Sequence, residues 1–442
     1  MTVLSLEMNE LNFHYIEKFI EEGKLPNFGA LLAKCQLTRT IAEKAYPDLE
    51  PWIQWPTVYS GKTYAEHGIF RLGDIVSRDY PQIWEALEQE GLRVGAISPM
   101  NAANRCENPC FFLPDPWTNT DITADDATKK LWKLVASIVN SNASNDLGFA
   151  AVGKQLAPLA MRYVNAASTA RYTRVLLKAL RYKWAKAAFL DVLLFDLAMK
   201  LKERERPDYM SLFLNAGAHI QHHHTYDSSV YSGEMANPEW YSKAAANDED
   251  PLLFIYEVYD DIIGECMRRS DLRVLITTGL SQTPNPREHY QYRMVEFDAF
   301  LGKLGVTGAK VLPRMSRDFL LEFEDRVDAE AAIAKLTATS VGNSDTPLIR
   351  IEDRGLTLFC QVCYFGRPEG LKAVQFDGRS FDASDDLVLV SIENAIHQTT
   401  GYHVDMNVPK GAGDDEISLT EVFNRLKNAA LAESGALTKL AG

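Results

Sequence analysis

Four of the nine histidines fall within six residues: His219, His222, His223 and His224. Imidazole ligates zinc, copper, iron and nickel and titrates near neutrality, so such a segment can hold a metal or move protons. The plain alternative is a solvated loop in which these side chains carry no chemistry. His403, in Thr400-Gly401-Tyr402-His403, stands far along the chain, as a third ligand from another loop often does. His397 nearby fits a helix or strand flank equally well. A second feature is Glu50-Pro51-Trp52-Ile53-Gln54-Trp55-Pro56-Thr57. Glu50-Pro51 reads as a helix start, because proline at the first helical position sacrifices no hydrogen bond. The free N–H groups of such a start can hold an anion, although a buried aromatic turn and helix accounts for the same run.

The elements that must position these residues follow from periodicity. Residues 3–6, 94–97, 209–214 and 273–277 are short apolar runs separated by helical patterns. This alternation predicts an α/β fold with a mostly parallel sheet sandwiched by helices. Ligands of such sheets collect at the carboxyl ends of the strands, here 7–9, 98–101, 215–224 and 278–282. Residues 124–206 are Ala/Leu-rich and helical, which predicts a helical cap insertion, and 305–341 read as a small α+β insertion. The expected division is 1–123, 207–304 and 342–442 for the core, the last with a C-terminal helix, and the two insertions between.

Composition narrows the classes. With 46% hydrophobic and 24% charged residues the chain has ample material for a core. Lys+Arg 46 against Asp+Glu 60 gives a net charge of −14, which argues against nucleic acid as a partner. The stretch from Lys154 to Arg206 is locally basic. A solvated helix face, attraction of an anionic substrate and peripheral contact with an anionic surface all remain open for it. Six cysteines are too few for a disulfide framework, and Cys360 and Cys363 read as reduced strand residues. No secretory leader and no membrane-spanning run is recognisable, so a cytoplasmic location is expected.

Further residues carry a resemblance. The acid-ended first strand, Gly23-Lys24-Leu25-Pro26-Asn27-Phe28 with Leu31-Leu32, and Trp55 to Ser60-Gly61-Lys62 followed by Glu66-His67-Gly68-Ile69 resemble the alkaline phosphatase superfamily in its type I phosphodiesterase/nucleotide pyrophosphatase branch. The resemblance implies a two-metal phosphoester hydrolase with a Thr or Ser nucleophile. Most catalytic positions depart from that pattern. The nucleophile slot falls on Pro51, beside Glu50; Thr57 matches a later helix threonine; the Asp-His pair after the fourth apolar run falls in 277–281, where no ligand survives. Glu7, with Asn9 and Glu10 close by, matches the first acidic ligand, and His222 and His403 match two histidine ligands.

The expected site therefore has Glu50, Glu7 and Asn9 as catalytic residues. His222 and His403, completed by His219, His224 or Asn215, hold one divalent metal, zinc or manganese, and no second metal is expected. Gln54, Thr57, Gln221 and Arg181 contact a small anionic substrate. The expected function is hydrolysis or transfer on a phosphoester, phosphodiester or sulfate ester. A metal-independent acid/base enzyme acting on a glycan or lipid-linked sugar is one alternative. A catalytically silent binding protein is the other.

Overall fold

The computed structural model describes residues 1–45, 48–141, 149–314, 317–342 and 347–435. They form two units, one built from the chain up to Pro284 and from Ala395 onward, the other from Asn285–Asn394.

The first unit is organised by an eight-stranded sheet. Its strands in chain order are β1 (Thr2–Met8), β2 (Thr38–Ile41), β3 (Val94–Ile97), β4 (Phe111–Leu113), β5 (Tyr209–Leu214) and β6 (Leu272–Thr277), followed after a short ribbon by two more. The ribbon pairs β7 (Ser281–Pro284) with β8 (Ala395–Gln398), and the remaining sheet strands are β9 (Thr400–Asp405) and β10 (Glu416–Ser418). The sheet order is β10-β2-β9-β6-β1-β5-β3-β4, and β9 alone runs against its neighbours. β1 lies at the centre, with Leu6 opposite Leu212 on one side and Ile276 on the other. Every residue of β1 is buried, as expected of a parallel strand covered on both faces.

Alternation along β1 splits the interior into two cores. Leu4, Leu6 and Met8 join a cluster with Phe13, Phe28, Tyr256 and Val192. Val3 joins another with Trp55, Tyr59, Trp84 and Leu426. The predicted helical stretch is present as Asp126–Ser141, Phe149–Ala160, Thr169–Arg181 and Lys186–Glu205. Its apolar residues, among them Trp132, Val175 and Leu193, belong to the same buried cluster as Leu4 and Leu6, so these helices form a layer of the core. None of the described helices is long and apolar enough to cross a membrane.

In the second unit, the strands Ile349–Asp353, Thr357–Val362, Asp318–Glu322 and Lys310–Pro313 lie side by side in an antiparallel sheet, with the helix Arg326–Thr337 in the same unit. Residues 305–341, read from the sequence as a small α+β insertion, are thus part of a longer unit. Cys360 and Cys363 are both buried free thiols, and burial pushes the Cys360 thiol up to about 12.

Candidate metal centre and active site

Three segments meet beyond the carboxyl end of β1. The chain leaves β1 through Asn9 and Glu10, and Glu10 adopts a left-handed backbone (φ 57°). That conformation costs a non-glycine residue about 1–2 kcal/mol, and here it is held by backbone bonds from Asn9 to Leu214 and from Glu10 to Thr278. The second segment is the helix Ala216–His224, which begins directly after β5. Its first turn is anchored by the buried Asp191, whose carboxylate accepts from the N–H of Ala216 (2.8 Å) and the hydroxyl of Tyr259 (2.6 Å). Burial raises the Asp191 carboxyl to about 6 against the lowering effect of those bonds. The third segment is the β7/β8 ribbon, whose register places His397 opposite Gln282.

At their meeting point His222 Nε2 lies 3.0 Å and His397 Nε2 3.1 Å from Glu10 Oε2, and the two nitrogens are 3.2 Å apart. His222 Nδ1 is 2.8 Å from the carbonyl oxygen of Ala395, which can only accept. Nδ1 therefore carries the proton, and the neutral ring presents a bare Nε2 lone pair to a carboxylate oxygen. A proton on an imidazole Nε2, or a metal ion bound among the three atoms, makes these contacts favourable. Zn–N and Zn–O bonds of about 2.0–2.2 Å set ligand atoms about 3.3 Å apart around a tetrahedral ion, close to the separations found. Among the described residues this is the one group of three His, Cys, Asp or Glu side chains with donor atoms so close. Two imidazoles and a carboxylate are also the donor set of catalytic rather than closed structural zinc sites.

The surroundings hold the carboxylate in place. Gln282 Nε2 donates to Glu10 Oε2 and to the carbonyl of Ala218, Asn9 Nδ2 donates to Oε1 (2.8 Å), and Gln221 Nε2 donates to the Glu10 carbonyl (2.9 Å). Burial opposes ionisation of Glu10, but His397 and His222 outweigh it and hold the carboxyl well below the usual range. Glu50 stands at the edge of the group. It is the N-cap residue of the helix Pro51–Ser60, its side chain makes no capping bond, and its Oε2 lies 3.6 Å from His397 Nδ1.

The other expected site residues are distributed differently. His219, His222, His223 and His224 lie on one helix, not in a loop, and at about 100° per residue they point in three directions. His219 and His223 share a face with their rings 4.5 Å apart, His223 Nδ1 bonds the Tyr241 hydroxyl, and His224 Nδ1 bonds Asp227. Asn215 Oδ1 accepts from Asn9, and Asn9 Oδ1 accepts from Trp55 Nε1. His403 is buried in β9, its Nδ1 bonded to Thr277 Oγ1 (3.0 Å), outside the Glu10 group. Burial, with Arg425 adding to it, pushes His403 down to about 4. Glu7 lies inside β1, where burial raises its carboxyl from 4.5 to about 8 although Tyr59 and Ser5 donate to it. Gln54 Nε2 bonds the Asp48 carbonyl, Thr57 bonds His67 Nε2, and the exposed Arg181 lies over the Tyr182 ring. Gln221 supports Glu10 from behind. The members that sequence reasoning did not assign are Glu10, His397 and Gln282. Glu10 and Gln282 stand at strand carboxyl ends, which was their signal; His397 gave none, because its ribbon partner is 115 positions away.

Fold and site together describe an α/β protein with a candidate metal site at the carboxyl edge of its sheet. Residues 3–278 match the type I phosphodiesterase/nucleotide pyrophosphatase family, and the chain belongs to that family. Comparison with curated protein sequences gives no match. Similar solved structures include phosphonoacetate hydrolase from Sinorhizobium meliloti 1021 in complex with phosphonoacetate (13% identity, 97% of this chain and 96% of that one, TM-score 0.44). Murine ectonucleotide pyrophosphatase/phosphodiesterase 5 (11%, 97% and 95%, 0.41) and alkaline phosphatase PafA (9%, 97% and 95%, 0.43) are others.

Proposed function

We propose that the chain hydrolyses a small phosphoester or phosphodiester with one divalent cation, zinc or manganese, held by Glu10, His222 and His397. The observation that carries this reading is the convergence of three atoms able to ligate a metal at 3.0–3.2 Å. A cation bound there supplies Lewis-acid polarisation of the ester oxygen. The Ala395 carbonyl fixes the His222 tautomer that leaves Nε2 free to ligate, and Gln282 and Asn9 orient the carboxylate. Glu50, 33% exposed and not used as a cap, accepts a proton from the attacking water as general base. Water attacks phosphorus as the leaving oxygen departs. Pro51 offers no hydroxyl in the slot that holds the family's nucleophile, so the displacement is direct.

Metal content and turnover of bis(p-nitrophenyl) phosphate and p-nitrophenyl phosphate test this reading on purified wild type, Glu10→Gln and His222→Ala. One equivalent of metal, lost together with activity in both variants, is expected. A wild type that stays metal-free after growth with zinc and manganese, and inert toward both esters, overturns it. Turnover that survives chelation and needs Glu50 and His222 would instead establish metal-independent acid/base chemistry.

A further inference from the structure

The helix Thr169–Arg181 buries Tyr172, Val175 and Ala179 and places its interior cations beside them. Its cations at 171, 174 and 178 point inward: Arg171 pairs with Glu265 (3.0 Å), Arg174 with Asp261 (2.6 Å) and Lys178 with Glu249 (2.5 Å). The outer face carries Thr169, Ala170, Thr173, Leu176, Leu177 and Leu180, all exposed and none charged. Leu176, Leu177 and Leu180 are 40%, 65% and 73% exposed. Single exposed leucines are common on soluble proteins, but an uncharged face of this length on an amphipathic helix marks a surface that something covers. The chain around it is basic and exposed: Arg162 beside the 73% exposed Met161 in the turns leading in, then Arg181 and Lys183 at the far end.

We infer that this face binds the surface of a membrane containing anionic lipid, with Leu176, Leu177 and Leu180 entering the headgroup and acyl boundary and Arg162, Arg181 and Lys183 meeting lipid phosphates. Charge decides between the occupants. The exposed rim of Arg162, Arg181 and Lys183 complements an anionic bilayer locally, against the net charge of −14 of the whole chain. A second copy packed on the same face about a two-fold axis would set that rim against itself. Arg171, Arg174 and Lys178 take no part, since each is paired with a carboxylate of the same chain. The basic stretch read from the sequence thus divides into cations that brace the fold and a few that flank an apolar contact.

The experiment sediments the full chain with vesicles of phosphatidylcholine alone and with about 30% phosphatidylglycerol. Wild type is expected to pellet with the anionic vesicles and to be partly released by salt. Leu177→Glu/Leu180→Glu is expected to lower partitioning by at least about tenfold, and the milder Leu177→Ala/Leu180→Ala by less, with thermal melts unchanged because neither position is buried. Binding that persists in the glutamate variant, or a wild type that binds neither vesicle, overturns the inference. A solution dimer of the wild type that the glutamate variant splits would also overturn it and assign the face to a second copy.

Discussion

Two regions on either side of β1 hold the same residue types in opposite electrostatic states. Beyond its carboxyl end, Glu10 and two imidazoles converge, and the imidazoles hold the Glu10 carboxyl well below the usual range. Within the sheet, Glu7 and His403 are sealed where burial outweighs the groups that favour their charged forms. Tyr59 and Ser5 donate to Glu7, Thr277 meets His403, and burial drives both groups toward their neutral forms. A glutamate and a histidine therefore announce a metal site only when their surroundings let charge persist. Burial alone does the reverse.

The largest expected effect separates the two histidines. His397→Ala should weaken metal binding by about 1,000-fold or more, while His403→Leu should leave metal content unchanged; equilibrium dialysis against zinc measures both. If His403→Leu also strips the metal, the contrast between the regions fails. Next comes Glu7. Its carboxyl titrates higher in the folded than in the unfolded chain, so the folded state holds the extra proton. That contribution is complete below about pH 4.5 and lost as pH rises through about 8. Relative to Glu7→Gln, wild type should lose about 4 kcal/mol of stability between pH 5 and pH 9 in urea titrations, and parallel curves would show that Glu7 ionises freely. A smaller effect belongs to Gln282→Ala, which removes a bond to the Glu10 carboxylate and should weaken metal affinity by about 10-fold with folding intact. The smallest is Arg174→Ala. Its ion pair with Asp261 is part-exposed, and a loss of under about 1 kcal/mol in the melt is expected.

The motifs that made the family legible turn out to be structural. Leu25 adopts a left-handed backbone ahead of Pro26, and Asp260 caps the helix Pro26–Lys34 by accepting from the N–H groups of Asn27 and Phe28. Gly264 faces the Asn27 side chain so closely that a Cβ there would lie 2.5 Å from it. His67 Nδ1 accepts from the N–H of Ile69, which leaves Nε2–H to donate to Thr57 (3.1 Å), and Gly68 takes the left-handed turn that ends the short helix Tyr64–His67. Such devices show in the chain as short motifs because each is made by residues near one another or sits at a helix terminus. The candidate metal site has no such spacing.

By itself the sequence determined the alternation of buried strands and helices, the family, and the concentration of chemistry after β1 and β5, because apolar periodicity and helix-start residues act locally. The tertiary structure alone decided which side chains converge. The helix 216–224 turns His222 toward Glu10 and sends its neighbours elsewhere. The β7/β8 ribbon closes across a unit of more than a hundred residues to set His397 and Gln282 on the same carboxylate. Direction on a helix and register between distant strands are properties of packing, and no spacing in the chain encodes them.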